Sequence, residues 1–245
     1  MWREIVELSR PKNVVLAAVT VPLGAHLALG GAWNTQALGL VALQTTSAIC
    51  FMAAGNTLND IADISIDAKA KPHKPIPSGR ISVESSTKVA YTFSLLSILF
   101  MASGAYFTED PYPLIAIWSV AAFLMYTYDA GLQTKKSGLI GNIAISLMVG
   151  AVIVFGAAAV SLANTEIVIY ASVVAFFANL AREIIKDCED MDSDEGRNTL
   201  PMKIGLMNAR SVAYVFILAS MVTLGLAHYI GPLEYHQIVF HAPAI

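Results

Sequence analysis

The sequence predicts an all-α, polytopic transmembrane helix bundle, and three observations lead there. Hydrophobic residues make up 56% of the 245-residue chain and charged residues only 13%, against roughly 25% charged in a soluble domain. The hydrophobic residues gather into runs close to the ~20 residues that a helix needs to cross a bilayer. All 15 Lys and Arg residues fall within 1–12, 59–88, 129–138 and 182–210, while the connections near 31–36, 108–110, 163–166 and 231–234 carry none. Under the positive-inside rule this places the N-terminus and the four basic segments on the cytoplasmic side of a cell membrane.

Residues 1–11 form an amphipathic segment, with Trp2, Ile5, Val6 and Leu8 set against Arg3, Glu4 and Glu7, suited to the membrane interface. Spans follow at about 12–30, 37–58, 83–107, 111–128, 139–162, 165–186 and 208–230, which makes seven. An eighth begins near Tyr235, but Ile245 ends the chain before it can cross. Arg3, Arg10 and Lys12 lead straight into the first span, so no cleavable signal peptide is expected. The net charge of −3 leaves no nucleic-acid footprint. Cys50 and Cys188 lie far apart and make neither a metal-type pair nor a disulfide framework. The chain reads as one domain, 1–245.

The chemistry gathers where apolar runs meet basic loops. Asn56, Asp60, Asp63 and Asp67 recur at spacings of four, three and four, which puts them on one face of a helix, with Asn59 beside them. Carboxylates stacked in this way repel one another unless a cation sits among them, and Mg²⁺ suits such oxygen ligands while leaving positions for phosphate. Asp187, Asp190 and Asp194 repeat the three-then-four spacing 127 residues later. A single acidic helix end also reads as a solvated interfacial turn; two with one spacing favour paired metal sites. They close the second and sixth spans, so the repeat is parallel.

The loop after the first set, 68–82, places Lys69, Lys71, His73, Lys74 and Arg80 around Pro72, Pro75 and Pro77. Lys69 and Lys88 read as ordinary positive-inside charge. Lys74 and Arg80 are candidates to neutralise a diphosphate under a stiffened lid. The third inner segment adds Tyr126, Tyr128, Lys135 and Lys136, and its tyrosines fit either an interfacial anchor or a ligand contact. Asn13 and Asn142 are polar residues at span entries that need partners or a ligand; Lys186 and Arg197 flank the second acidic set. His26, His228, His236 and His241 cluster nowhere. Carboxylates, cationic loops and an apolar bundle together call for a substrate that is a diphosphate at one end and a hydrocarbon at the other. Allylic prenyl transfer joins the two: the diphosphate leaves, a second substrate captures the cation, and a dry pocket prevents quenching. A cation transporter is the rival reading, although transporter repeats are often inverted and centred in the bilayer.

Asn59-Asp60-x-x-Asp63-x-x-x-Asp67 with Lys74-Pro75-Ile76-Pro77-Ser78-Gly79-Arg80, and Arg182-Glu183-Ile184-Ile185-Lys186-Asp187-x-Glu189-Asp190-x-x-x-Asp194 with Asn198-Thr199-Leu200-Pro201, resemble the UbiA superfamily of intramembrane prenyltransferases. Arg10-Pro11-x-Asn13 and Gly141-Asn142 fit the same resemblance. It implies a cytoplasmic-side site capped by loops and Mg²⁺-dependent transfer from a polyprenyl diphosphate donor. Asn59, Asp60, Asp63, Asp67, Asp187, Asp190 and Asp194 are then expected to hold the metals, with Asp63, Asp67, Asp190 and Asp194 catalytic. Asn13, Lys74, Arg80, Tyr126, Lys135, Asn142, Lys186 and Arg197 are expected to bind substrate. The family usually has nine spans, so the chain is expected to lack the last ones. The loop sequences look most like the archaeal branch that prenylates geranylgeranylglyceryl phosphate in ether-lipid synthesis. Aromatic acceptors such as 4-hydroxybenzoate, and chlorophyll-type substrates, are the alternatives.

Overall fold

The structure, a computed structural model, describes residues 1–129, 134–162, 164–191 and 198–231, without the side chains of Asp129, Lys135 and Lys136. Among the described residues there are only helices and their connections. In order these are α1 (Trp2–Ser9), α2 (Pro11–Leu29), α3 (Thr35–Ala62), α4 (Ile64–Ala70), α5 (Val83–Phe107), α6 (Pro111–Asp129), a 3₁₀ turn (Thr134–Ser137), α7 (Leu139–Ala158), α8 (Thr165–Glu189), α9 (Leu200–Ile204) and α10 (Leu206–Tyr229).

Each expected span has a helix. Six of them, α2, α3, α5, α7, α8 and α10, are long and apolar enough to cross a membrane. The seventh, α6, has 19 residues but opens on Pro111-Tyr112-Pro113 and closes on Tyr126-Thr127-Tyr128, which dilutes its hydropathy. The eighth, near Tyr235, lies outside the described residues.

Local chemistry sets the ends. Pro11 occupies the first turn of α2, where its missing N–H costs nothing. Asn34 caps α3 by accepting from the Ala37 N–H at 2.8 Å, and Ser82 caps α5 by accepting from the Ser85 N–H at 3.1 Å. Short connections turn consecutive helices back on each other. The starts of α2, α5, α7 and α10 and the ends of α3, α6 and α8 therefore share one end of the bundle.

With lipid outside, apolar side chains gain little from leaving water, and close approach of small residues drives packing. The crossing of α2 and α7 illustrates it. A Cβ added at Gly24 would lie 1.9 Å from the Ile153 carbonyl oxygen, and one at Gly156 would lie 2.0 Å from that of Val21. Below the far end of the bundle Val21, Met101, Leu114 and Phe155 pack solid. A second cluster, Leu180, Ile184, Ala209 and Ala213, joins α8 to α10. At the near end Leu8 of α1 is fully buried against Ile76 and Ile81, with Ile61 and Ile64 beside them.

Candidate active site at the basic end of the bundle

The first acidic set does not ride one unbroken helix. The helix stops at Ala62 and restarts at Ile64, with Asp63 (φ −96°, ψ 11°) capping both pieces. The Asp63 N–H closes the first piece on the Asn59 carbonyl at 3.0 Å, and the Asp63 carbonyl opens the second by accepting from the Asp67 N–H at 2.8 Å. All four residues are nonetheless buried: Asn56, Asp60, Asp63 and Asp67 are 8%, 4%, 8% and 5% exposed.

Buried carboxylates demand partners. Lys74 Nζ donates to Asp60 Oδ1 at 3.0 Å and to Asp67 Oδ2 at 2.6 Å. Arg10 Nη2 donates to Asn59 Oδ1 at 2.9 Å and to the same Asp60 oxygen. Arg10 is the one non-glycine residue with positive φ among those described, at 51°. It turns the chain between α1 and α2 and aims its guanidinium at the end of α3. Asn13 Nδ2 donates to Asn56 Oδ1 at 3.3 Å, and Asn56 Nδ2 donates to the Ser9 carbonyl at 2.8 Å. Arg10 and Asn56 are thus part of the site's frame; sequence reasoning put Asn56 on the acidic face and Arg10 in a motif but predicted neither contact. The signal for Arg10 was its place at a helix boundary before Pro11.

Arg80, expected to bind the diphosphate, is paired away from the carboxylates. Its guanidinium is engaged by both oxygens of Glu7, at 2.8 and 2.9 Å, and donates to the His73 carbonyl at 2.7 Å. The hydrogen bond from Arg80 holds the Glu7 carboxyl below the ordinary glutamate range, against a smaller opposing effect of burial. This clamp fastens the 71–81 loop onto α1.

The second acidic set is built differently. Asp187 Oδ2 accepts from Asn142 Nδ2 of α7 at 2.8 Å. Asp190 ends α8, half-buried, with its N–H on the Lys186 carbonyl at 2.9 Å. Lys186 lies 3.6 Å from the buried Glu183, which Arg182 also contacts. Lys186 and Arg182 line a groove of about 390 Å³ between α8 and α10, away from Asp187's partner on α7. Tyr126 is exposed on α6. Asp194, Arg197 and the Lys135 side chain lie outside the described residues.

Among the described residues no three His, Cys, Asp or Glu side chains stand together as a ready metal site. At the first set the ammonium of Lys74 spans Asp60 and Asp67. What the arrangement offers is buried hard oxygen donors, neutralised by two side-chain cations, at the mouth of an apolar bundle.

The sequence profile of the UbiA prenyltransferase family matches residues 14–244. The chain is 34% identical over 240 residues to a digeranylgeranylglyceryl phosphate synthase of Methanococcus aeolicus, covering 97% of this chain and 78% of that one. It is 34% identical over 244 residues to the synthase of the same name from Methanopyrus kandleri, covering 99% and 84%. A solved structure described as a digeranylgeranylglyceryl phosphate synthase in membranes superposes with a TM-score of 0.78 at 26% identity, covering 99% of this chain and 82% of that one. A UbiA homologue from Archaeoglobus fulgidus, solved with GPP and Mg²⁺, shares the fold with a TM-score of 0.76 at 19% identity over 98% and 82%. This chain belongs to the UbiA prenyltransferase family.

Proposed function

We propose that the chain acts as one prenyltransferase domain that moves a geranylgeranyl group from its diphosphate to geranylgeranylglyceryl phosphate, with Mg²⁺, in archaeal ether-lipid synthesis. The observation that carries this reading is the buried Asp60–Asp63–Asp67 set, balanced by Lys74 and Arg10. The names of the two relatives support the acceptor, and the GPP and Mg²⁺ bound by the A. fulgidus homologue support the donor class and the metal.

The donor set fits Mg²⁺ by its chemistry: carboxylate and amide oxygens, with no thiol or imidazole among them. Asn59, Asp60, Asp63 and Asp67 would hold metal at one helix end, and Asp187, Asp190 and Asp194 at the other. When bound, Mg²⁺ supplies positive charge that offsets the charge the diphosphate gains on leaving. Lys74, Lys135 and Arg197 would add to that neutralisation, and Tyr126 would serve as a neutral donor. Asn13 and Asn142 hold Asn56 and Asp187 in place. Arg80 acts as a fastener of the loop, and Lys186 pairs with Glu183. The apolar interior keeps water from the allylic cation until the acceptor hydroxyl captures it. The basic end faces the cytoplasm, on the segregation of Lys and Arg.

Purified protein with Mg²⁺ and radiolabelled geranylgeranyl diphosphate is expected to form product with geranylgeranylglyceryl phosphate and none with 4-hydroxybenzoate. Product with the aromatic acid alone would overturn the acceptor; no product with either would overturn the transfer itself.

A further inference from the structure

Lys74 occupies a place that its proposed partner, the diphosphate, does not require. Its ammonium is hydrogen-bonded to two carboxylates, Asp60 and Asp67, whose side chains are 6% and 7% exposed. Nothing that fastens its loop depends on that ammonium. Arg80 ties the loop to Glu7 and to the His73 carbonyl, and Ile76 and Ile81 are buried on Leu8. The Lys74 backbone is pinned separately, its N–H on the Lys71 carbonyl and its own carbonyl accepting from the Ser78 N–H, each at 3.0 Å. The four-carbon stem can therefore swing while the loop stays. Asp60 would keep Arg10 when Lys74 leaves, whereas Asp67 would lose its hydrogen bond from the ammonium.

We propose that Lys74 is an exchangeable internal counter-ion, which holds Asp60 and Asp67 in the empty site and yields them to the divalent cation when diphosphate arrives to take its ammonium. This rests on the reading above that Asp67 is a metal ligand. Without diphosphate, lysine and metal compete for the same oxygens. With diphosphate, they cooperate. By linkage, removing Lys74 must then change metal affinity in opposite directions in the two conditions. A lysine that only bound diphosphate, or only held the fold, gives no such reversal.

The test is a Mn²⁺ titration followed by electron paramagnetic resonance on the full chain in nanodiscs, with and without inorganic diphosphate. Lys74→Met is expected to bind Mn²⁺ roughly 5-fold or more tightly than wild type without diphosphate, and more weakly than wild type with it, within the usual span of coupling between sites. Lys74→Arg should follow wild type in the first condition. Lys74→Gln makes the same comparison should the methionine variant not fold. Affinity in Lys74→Met and Lys74→Gln no tighter than wild type without diphosphate overturns the exchange. Asp67→Asn tests the underlying reading separately: unchanged Mn²⁺ binding with diphosphate would overturn the metal assignment itself.

Discussion

The two acidic helix ends share a spacing and little else. At the end of α3 the carboxylates are buried, carry Lys74 and Arg10 as counter-ions, and are roofed by α1 and the 71–81 loop. At the end of α8 the described partner of Asp187 is a neutral amide, Asn142, and Asp190 is half-buried. The nearby cations, Arg182 and Lys186, turn to Glu183 instead. A repeated motif thus fixes which oxygens are present but not how their charge is balanced. At the first end Lys74 and Arg10 stand against the carboxylates, whereas at the second Asn142 holds Asp187 in place.

The comparison is sharpest at the carboxylates. Asp67→Asn and Asp187→Asn are each expected to lower kcat by roughly 10²-fold or more, the scale of losing a preorganised charge-stabilising group. Asp67→Asn also removes one of the two carboxylate contacts of Lys74, so the two variants are expected to differ in Mn²⁺ binding without diphosphate. Equal effects of both variants on metal binding would show that the two ends balance their charge alike.

Arg10→Ala comes next. It leaves the buried Asp60 with one cation fewer, and is expected to lower stability by about 1–3 kcal/mol and to cut turnover. Arg10→Lys should recover the charge without the two-point contact to Asn59 and Asp60. Thermal unfolding and turnover measured together check this. Asn142→Ala removes a neutral donor, and about 1 kcal/mol is expected. A larger stability loss at Asn142 than at Arg10 would invert the comparison.

The smallest effect is at the α1 clamp. Glu7 has its folded pKa lowered by Arg80, so its contribution is complete above the ordinary glutamate value and is lost as pH falls through the lowered one. Proteolysis within 71–81 should therefore quicken between about pH 5 and pH 3, and Glu7→Gln should be quick across that range. A Glu7→Gln variant as resistant as wild type near neutral pH would show that the clamp does not hold the loop.

Much of this was legible in the sequence because hydropathy, charge segregation and carboxylate spacing each act over short stretches. Every long helix lies where an apolar run predicts it, and Asp60 and Asp63, like Asp187 and Asp190, sit at a helix end. The break at Asp63 was not legible: Ile61-Ala62-Asp63-Ile64 holds neither Gly nor Pro, and the Asp63 side chain makes no capping hydrogen bond to the helix it precedes. Nor was the fate of each cation. Lys74 and Arg80 are six residues apart in one basic loop, yet one reaches the carboxylates and the other reaches Glu7, which lies 73 residues away in sequence. Such pairings are long-range, as are the Gly24–Ile153 and Gly156–Val21 approaches that let α2 meet α7. Composition cannot assign partners across that distance.

The most direct measurement is Mg²⁺-dependent release of diphosphate from geranylgeranyl diphosphate, with geranylgeranylglyceryl phosphate present, in Asp63→Ala and Asp190→Ala set against wild type. Loss of release in both, with each variant retaining a cooperative thermal transition, is the predicted result. Near-normal release from either variant would contradict a site in which both acidic ends act together.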